Sequence, residues 1–354
     1  MVMKGVAISL LALFGTSLAE AYTIEKVGGD ISHPWGVAQV SETDVLVTAR
    51  AGALLRINLE TGLQRAVRPV PQVASYRQGG LLDVIYDQHS AHVYLCYSKP
   101  GTNGTGLAIA QGRLEDTKLT GLKEIFESNH RSGSGVHFGC RLALQGDYLF
   151  ASLGDRGDRD NAQNFTNHAG SVLRLNLTRP ERANHQSSWL PEHFSVGHRN
   201  PQGLALQPQT GLLWSHEHGP RGGDEINLIE QNGNYGWPLV SYGKEYIGGE
   251  IGLDYSPEGY VDPLWIWDPS IAPSGMTFYT GQMFPEWQGD LLVGALKFAS
   301  IYRVEFDPQT NRPVNEERMF SGEFGRVRDV EEAADGSLLV LSDAPKGGLY
   351  RISR

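Results

Sequence analysis

The chain has 354 residues and a formal charge of −10, with 40% hydrophobic and 20% charged residues. That balance excludes a general binder of nucleic acid or anionic membrane, which needs a net positive surface. The length suffices for one large all-β domain or two smaller ones.

The first 19 residues read as a secretory signal. Lys4 supplies the positive start, Gly5 to Leu18 the apolar run and Ser17-Leu18-Ala19 the small-residue exit. Cleavage is expected after Ala19, leaving residues 20–354 as a single mature domain in the periplasm or outside the cell. No later segment approaches the roughly 20 apolar residues of a membrane span. The only cysteines are Cys96 and Cys140, which excludes a disulfide framework. One bridge between them and two buried free thiols fit the sequence equally well.

From Trp35 onward one pattern recurs: an apolar start near Gly, a turn, an alternating strand, a second turn and a closing strand. The copies begin at Trp35, Gly79, Gly139, Gln202, Ser274 and Val327. Each alternates apolar and polar residues with period two and is punctuated by Gly, Asp, Asn or Pro. No long amphipathic helical period interrupts them. Repeated sheets that must bury both faces point to blades packed around a channel, so the fold expected is all-β, a six-bladed β-propeller. The strand near Tyr22–Val27 is expected to close the last blade. A pair of β-sandwiches is the alternative.

Loops at one end of such a ring converge, so polar residues at the entry or exit of each repeat stand out. In chain order they are Gln78 before Gly79-Gly80, His137 in GVHFGC, Asp155 in SLGDRGD, and Gln163 further along the same loop. Arg199 and Asn200 follow, just before a Pro that disfavours helix. Next comes the Gly219-Pro220 turn with Asp224 and Glu225, whose carbonyls and carboxylates suit a hard cation such as calcium. Lys297 and the pair Arg326 and Arg328 come last. In extended chain that pair forms a clamp for carboxylates or phosphates. An imidazole oriented by a carboxylate, as His137 by Asp155, is a general-base arrangement. Taken singly, each has an ordinary reading: a capping Gln, a structural His, unrelated surface charges. His216-Glu217-His218 places two imidazoles on one strand face, but no further ligand pair supports zinc.

Together GHRNPQG, EHGPRGGDEIN, NYGWP, HFG, QGGLLDV, GALK and RVRDV resemble, in order and over essentially the whole mature chain, the soluble quinoprotein sugar dehydrogenases, most closely the periplasmic aldose sugar dehydrogenases. The resemblance implies a six-bladed propeller that binds pyrroloquinoline quinone (PQQ) and calcium. Gln78, Gln163, Arg199, Asn200, Tyr246, Lys297, Arg326 and Arg328 would hold the quinone, beside the backbone of Ala295 and Leu296. The carbonyls of Gly219 and Pro220 would hold a calcium ion at the quinone. Glu225 and Tyr235, with Asp224, would hold a second, structural one. His137 would take a proton from the anomeric hydroxyl of an aldose, with Asp155 orienting it, and an external acceptor would remove the electrons. A monomer is expected, because the insertions of dimeric members are missing. Residues 156–168 and 242–260 depart from the family pattern and are the expected substrate-facing loops. The competing readings are a calcium-dependent lactone hydrolase, which needs carboxylates converging on a metal in the channel, and a non-catalytic binding propeller.

Overall fold

The computed structural model describes residues 22–354; the signal segment lies outside them. Six four-stranded antiparallel sheets follow one another along the chain. Their first strands, Pro34–Gln39, Leu81–Asp87, Gly139–Gln145, Pro201–Leu206, Pro273–Phe278 and Val327–Glu332, pack side by side, and the sixth meets the first. The sheets are therefore blades 1 to 6 of a closed propeller. Blade 6 takes its outer strand, Thr23–Ile31, from the other end of the chain, in antiparallel register from Thr23 opposite Ser353 to Val27 opposite Leu349. Among the described residues only two short 3-10 turns interrupt the strands, Arg159–Gln163 and Pro285–Trp287. No helix of the described residues is long and apolar enough to cross a membrane.

Alternation along the strands sends Val, Leu and Ile into the seams between blades. Leu82, Ile109, Phe138 and Leu149 fill the seam of blades 2 and 3; Val47, Ile57, Leu339 and Leu349 fill that of blades 6 and 1. Each such side chain contributes about 1.5–3 kcal/mol on full burial. Cys96 and Cys140 form a disulfide across the seam of blades 2 and 3, resolving what the sequence left open.

Every innermost strand carries a bulge near its start. The third residue of that strand is Gly36, Asp83, Arg141, Gly203, Gly275 and Asp329 in blades 1 to 6. The glycines leave room for side chains next to them: a Cβ on Gly36 would lie 2.8 Å from the Asp83 carboxylate, and one on Gly275 would lie 1.6 Å from that of Asp329. Arg141 donates to Asp83 at 3.3 Å and pairs with Asp329 at 3.0 Å. It also donates to the carbonyls of Gln202 at 2.8 Å and Arg328 at 3.1 Å. The channel is thus crossed by one buried guanidinium between two buried carboxylates, bonded to blades 2, 4 and 6.

Candidate active site

Above this cluster, at the end where the innermost strands begin, lies a cavity of about 200 Å³. The segments that open the blades line it: Gln78, Phe138, Asn200, Ala272 and Arg326 stand just before their innermost strands, while Trp35, Leu82, Gln202 and Arg328 are second residues of theirs. A short polar segment entering each blade therefore becomes one wall of a shared pocket. Arg50, Gly139, His218, Leu296 and Asp343 complete the lining. Asp343 accepts from Arg328 at 2.7 Å and from His33 at 2.8 Å, and lies 4.0 Å from Arg326. Burial pushes its carboxyl up, but the Arg328 charge and hydrogen bond, with His33 and Arg50, outweigh that and hold it down to about 2.

His137 Nδ1 lies 2.7 Å from Asp155 Oδ1. Asp155 also accepts the Gly157 amide at 2.7 Å and the Trp237 indole N–H at 2.9 Å, so both its oxygens are occupied. Burial raises this carboxyl; the His137 hydrogen bond and charge, the Gly157 amide and Arg199 reverse that and leave it below the usual range. Gln78 Oε1 accepts the His137 backbone N–H at 2.7 Å. The loop is braced from below by Arg156, whose guanidinium lies 3.4 Å from the centre of the Phe138 ring and donates to the Val136 carbonyl. A Cβ on Gly154 would lie 2.4 Å from the His137 carbonyl, so glycine is what permits the close crossing.

Arg199 leans toward a second, smaller cavity of about 10 Å³, where it donates to the His218 and Gly219 carbonyls at 3.0 and 2.9 Å. Glu217, Glu225, Tyr235 and Pro220 also line that cavity. Glu217 accepts the backbone amides of Arg199 and Asn200 and the His198 ring N–H. Glu225 has only the Asn227 amide, at 3.4 Å, and burial together with Glu217 pushes its carboxyl well up. Asp224 braces the turn, accepting from the amides of Gly219 at 2.9 Å and Ala272 at 2.8 Å. His218 is pushed down to about 3 by burial and stays neutral, its Nε2–H donating to the Pro273 carbonyl at 2.6 Å.

Other expected ligands stand elsewhere. The Gln163 amide is tied to Asn234 and to the Trp237 carbonyl. Tyr246 is 69% exposed on an outer loop. Lys297 is exposed, with its ammonium 5.1 Å from the Phe298 ring centre. Ala295 is wholly buried in its strand, leaving Leu296 as the wall. Sequence reasoning missed Arg50, Asp343, Trp35 and Trp237; Trp237, within NYGWP, was the most findable.

A planar polycarboxylate fits the upper cavity. Three guanidiniums and three amides line it, and the buried Nε atoms of Arg328 and of Arg199 beside it have no partner in the protein. Among the described residues no three His, Cys, Asp or Glu side chains converge on a metal position. The smaller cavity nonetheless suits one cation, having two carboxylates, the buried Glu217 and the half-buried Glu225, and no cationic side chain between them that bonds to Glu225. In the channel Asp83 and Asp329 are both taken up by Arg141.

Residues 31–351 match the family model described as Glucose / Sorbosone dehydrogenase. The aldose sugar dehydrogenase YliI of Escherichia coli (strain K12) is 36% identical, over 93% of this chain and 92% of its own. The quinoprotein glucose dehydrogenase B of Acinetobacter calcoaceticus is 25% identical, over 93% and 87%. A crystal structure of a glucose dehydrogenase superposes with a TM-score of 0.88 at 38% identity, covering 93% of this chain and 99% of that one.

Proposed function

Because the chain belongs to the glucose/sorbosone dehydrogenase family and is therefore a sugar oxidoreductase, we propose that it oxidises aldoses at the anomeric carbon to lactones, using pyrroloquinoline quinone and calcium, and passes the electrons to an external acceptor. When bound, the quinone supplies the hydride acceptor and calcium the Lewis acid beside it. Arg326, Arg328, Arg50, Gln78 and Asn200 would hold the quinone's carboxylates and carbonyls. The Gly219 and Pro220 carbonyls would face the calcium ion at the quinone, and Glu225, near Tyr235, a second one. The carbonyl of Gly219 already accepts from Arg199, so Arg199 has to share that oxygen or turn its free Nε–H toward the quinone.

The observation that carries the reading is the His137–Asp155 pair at the rim of a cavity walled by arginines. Asp155 accepts a hydrogen bond from Nδ1–H, which leaves Nε2 as the basic nitrogen for the sugar hydroxyl, and its charge stabilises the imidazolium that forms. Trp237 and Gly157 lock the carboxylate, so the imidazole has one orientation. The deciding experiment loads purified apoprotein with PQQ and calcium and follows dye reduction over a panel of mono- and disaccharides. Aldose-dependent reduction is expected; no quinone uptake and no turnover on any sugar would sink the proposal. Its natural setting is a periplasmic or secreted monomer.

A further inference from the structure

Directly beneath the cavity the buried ions and one aromatic ring form a unit in which Asp83 and Asp329 belong to the QGGLLDV and RVRDV motifs while Trp35 and Arg141 lie outside every motif above. Trp35 lines the cavity and is 3% exposed. The Arg141 guanidinium lies 4.0 Å from its ring centre, and that of Arg328, itself part of the cavity wall, lies at 5.9 Å. Arg141 has little freedom, being tied to Asp83, Asp329, the Gln202 carbonyl and the Arg328 carbonyl. The carboxylates are fixed in turn: Asp83 accepts the Leu142 amide at 2.8 Å and Asp329 the Val37 amide at 3.0 Å. Asp329 thus grips the strand that carries Trp35, Arg141 packs on the ring, and the same guanidinium holds the backbone of Arg328. Buried ion clusters of this kind contribute little net stability compared with well-packed apolar side chains, so their worth lies in fixing geometry.

We propose that Trp35 is the platform on which the flat cofactor rests, and that Asp83, Arg141 and Asp329 are positioning residues that hold Trp35 and the Arg328 guanidinium in register with it. This rests on the quinone reading of the cavity. A rigid aromatic plane presents a large contact at little entropic cost, and a guanidinium packed on Trp35 keeps the ring from turning. The ring shares the wall with Leu82, Phe138, Ala272 and Leu296, beside three guanidiniums and three amides, which suits a ligand with charged edges and an unsaturated face.

The test is equilibrium binding of PQQ to calcium-loaded apoprotein, with the absorption band of the bound quinone and the Tm of the apoprotein recorded alongside. Trp35→Leu is expected to raise Kd about tenfold, whereas Trp35→Phe, which keeps a flat ring, stays within about threefold. Arg141→Lys keeps the charge but loses the plane against Trp35; it is expected to raise Kd and shift the band. The neutral triple variant Asp83→Asn, Arg141→Met, Asp329→Asn leaves no ion unpaired and is expected to do the same while remaining folded. If the triple variant does not fold, Arg141→Lys decides alone. A wild type that takes up no quinone overturns the cofactor reading and this inference with it. A wild type that binds, with Trp35→Leu matching it in Kd, or with Arg141→Lys matching it in both Kd and band whatever its Tm, overturns the inference alone.

Discussion

His137 holds a left-handed backbone conformation, φ 50°, uncommon for a residue with a side chain. The bond from its backbone N–H to Gln78 and the brace from Arg156 keep it there, the kind of over-determined strain found at functional positions. His137→Ala is expected to retain the quinone but lose roughly 10²–10⁴-fold in kcat, the usual span of general-base catalysis. Asp155→Asn, which still accepts a hydrogen bond but carries no charge, should lower kcat with little change in quinone affinity. Equal turnover of His137→Ala and wild type would remove the base. Asp343 makes a stability prediction with a definite sign. Its folded pKa of about 2 lies below the ordinary 3.8, so its contribution is complete above that ordinary value and is lost as pH falls toward 2. The shift corresponds to about 2 kcal/mol. The Tm difference between wild-type apoprotein and Asp343→Asn should therefore shrink as pH is lowered from about 5 toward 2; a constant difference would contradict the assignment.

Among the elements, the six innermost strands do most to shape the molecule. Each bulges near its start, and the third residues Gly36, Asp83, Arg141, Gly203, Gly275 and Asp329 interlock because the glycines yield space to what stands beside them. Gly275→Ala is the sharpest probe, since its Cβ would meet the Asp329 carboxylate at 1.6 Å. Overpacking of this sort costs about 1–3 kcal/mol or more, and here it would also push Asp329 off Arg141. A lowered Tm with a raised quinone Kd is expected from thermal denaturation and binding; an unchanged Tm would mean the bulges are not interlocked. This level was only partly legible in the sequence. The repeat starts were readable because Gly and Pro punctuate alternating strands, and the strand near Tyr22–Val27 does close the last blade. The one-residue bulges were not, because an extra residue leaves no mark in a degenerate repeat. The cluster of Asp83, Arg141 and Asp329 was not legible, since nothing local shows that three blades bring them together. Cys96 and Cys140 were undecided for the same reason: pairing depends on a distance between blades.

For the molecule as a whole, charge is unevenly placed. A chain of formal charge −10 gathers Arg50, Arg326 and Arg328 around one cavity. An anionic cofactor should therefore be steered into an otherwise acidic protein, and the loading rate of PQQ should fall several-fold as ionic strength rises from about 0.01 to 0.5 M. A rate independent of salt would show that the arginines act only after contact. The convergence of loops at one end of the ring was legible once six repeats were counted, and with it Gln78, His137, Arg199, Asn200, Arg326 and Arg328 as neighbours. Tyr246, Lys297 and Gln163 were expected beside them, but side-chain direction in turns and loops, exposed for Tyr246 and Lys297 and half-buried for Gln163, is set by contacts the sequence does not reveal. Arg50 and Asp343 escaped notice because each follows a second strand, where an Arg or Asp reads as an ordinary turn.

Thr23 sits opposite Ser353, so the two ends of the described chain lie on adjacent strands of one blade. Fusing them through a short flexible tether and cutting instead in a hairpin turn on the face away from the cavity, such as Gln207–Leu212, should yield a circular permutant that still loads cofactor. Removing residues 22–31 would instead unzip the clasp, exposing the Gly347–Ser353 edge to other copies of the chain and favouring aggregation.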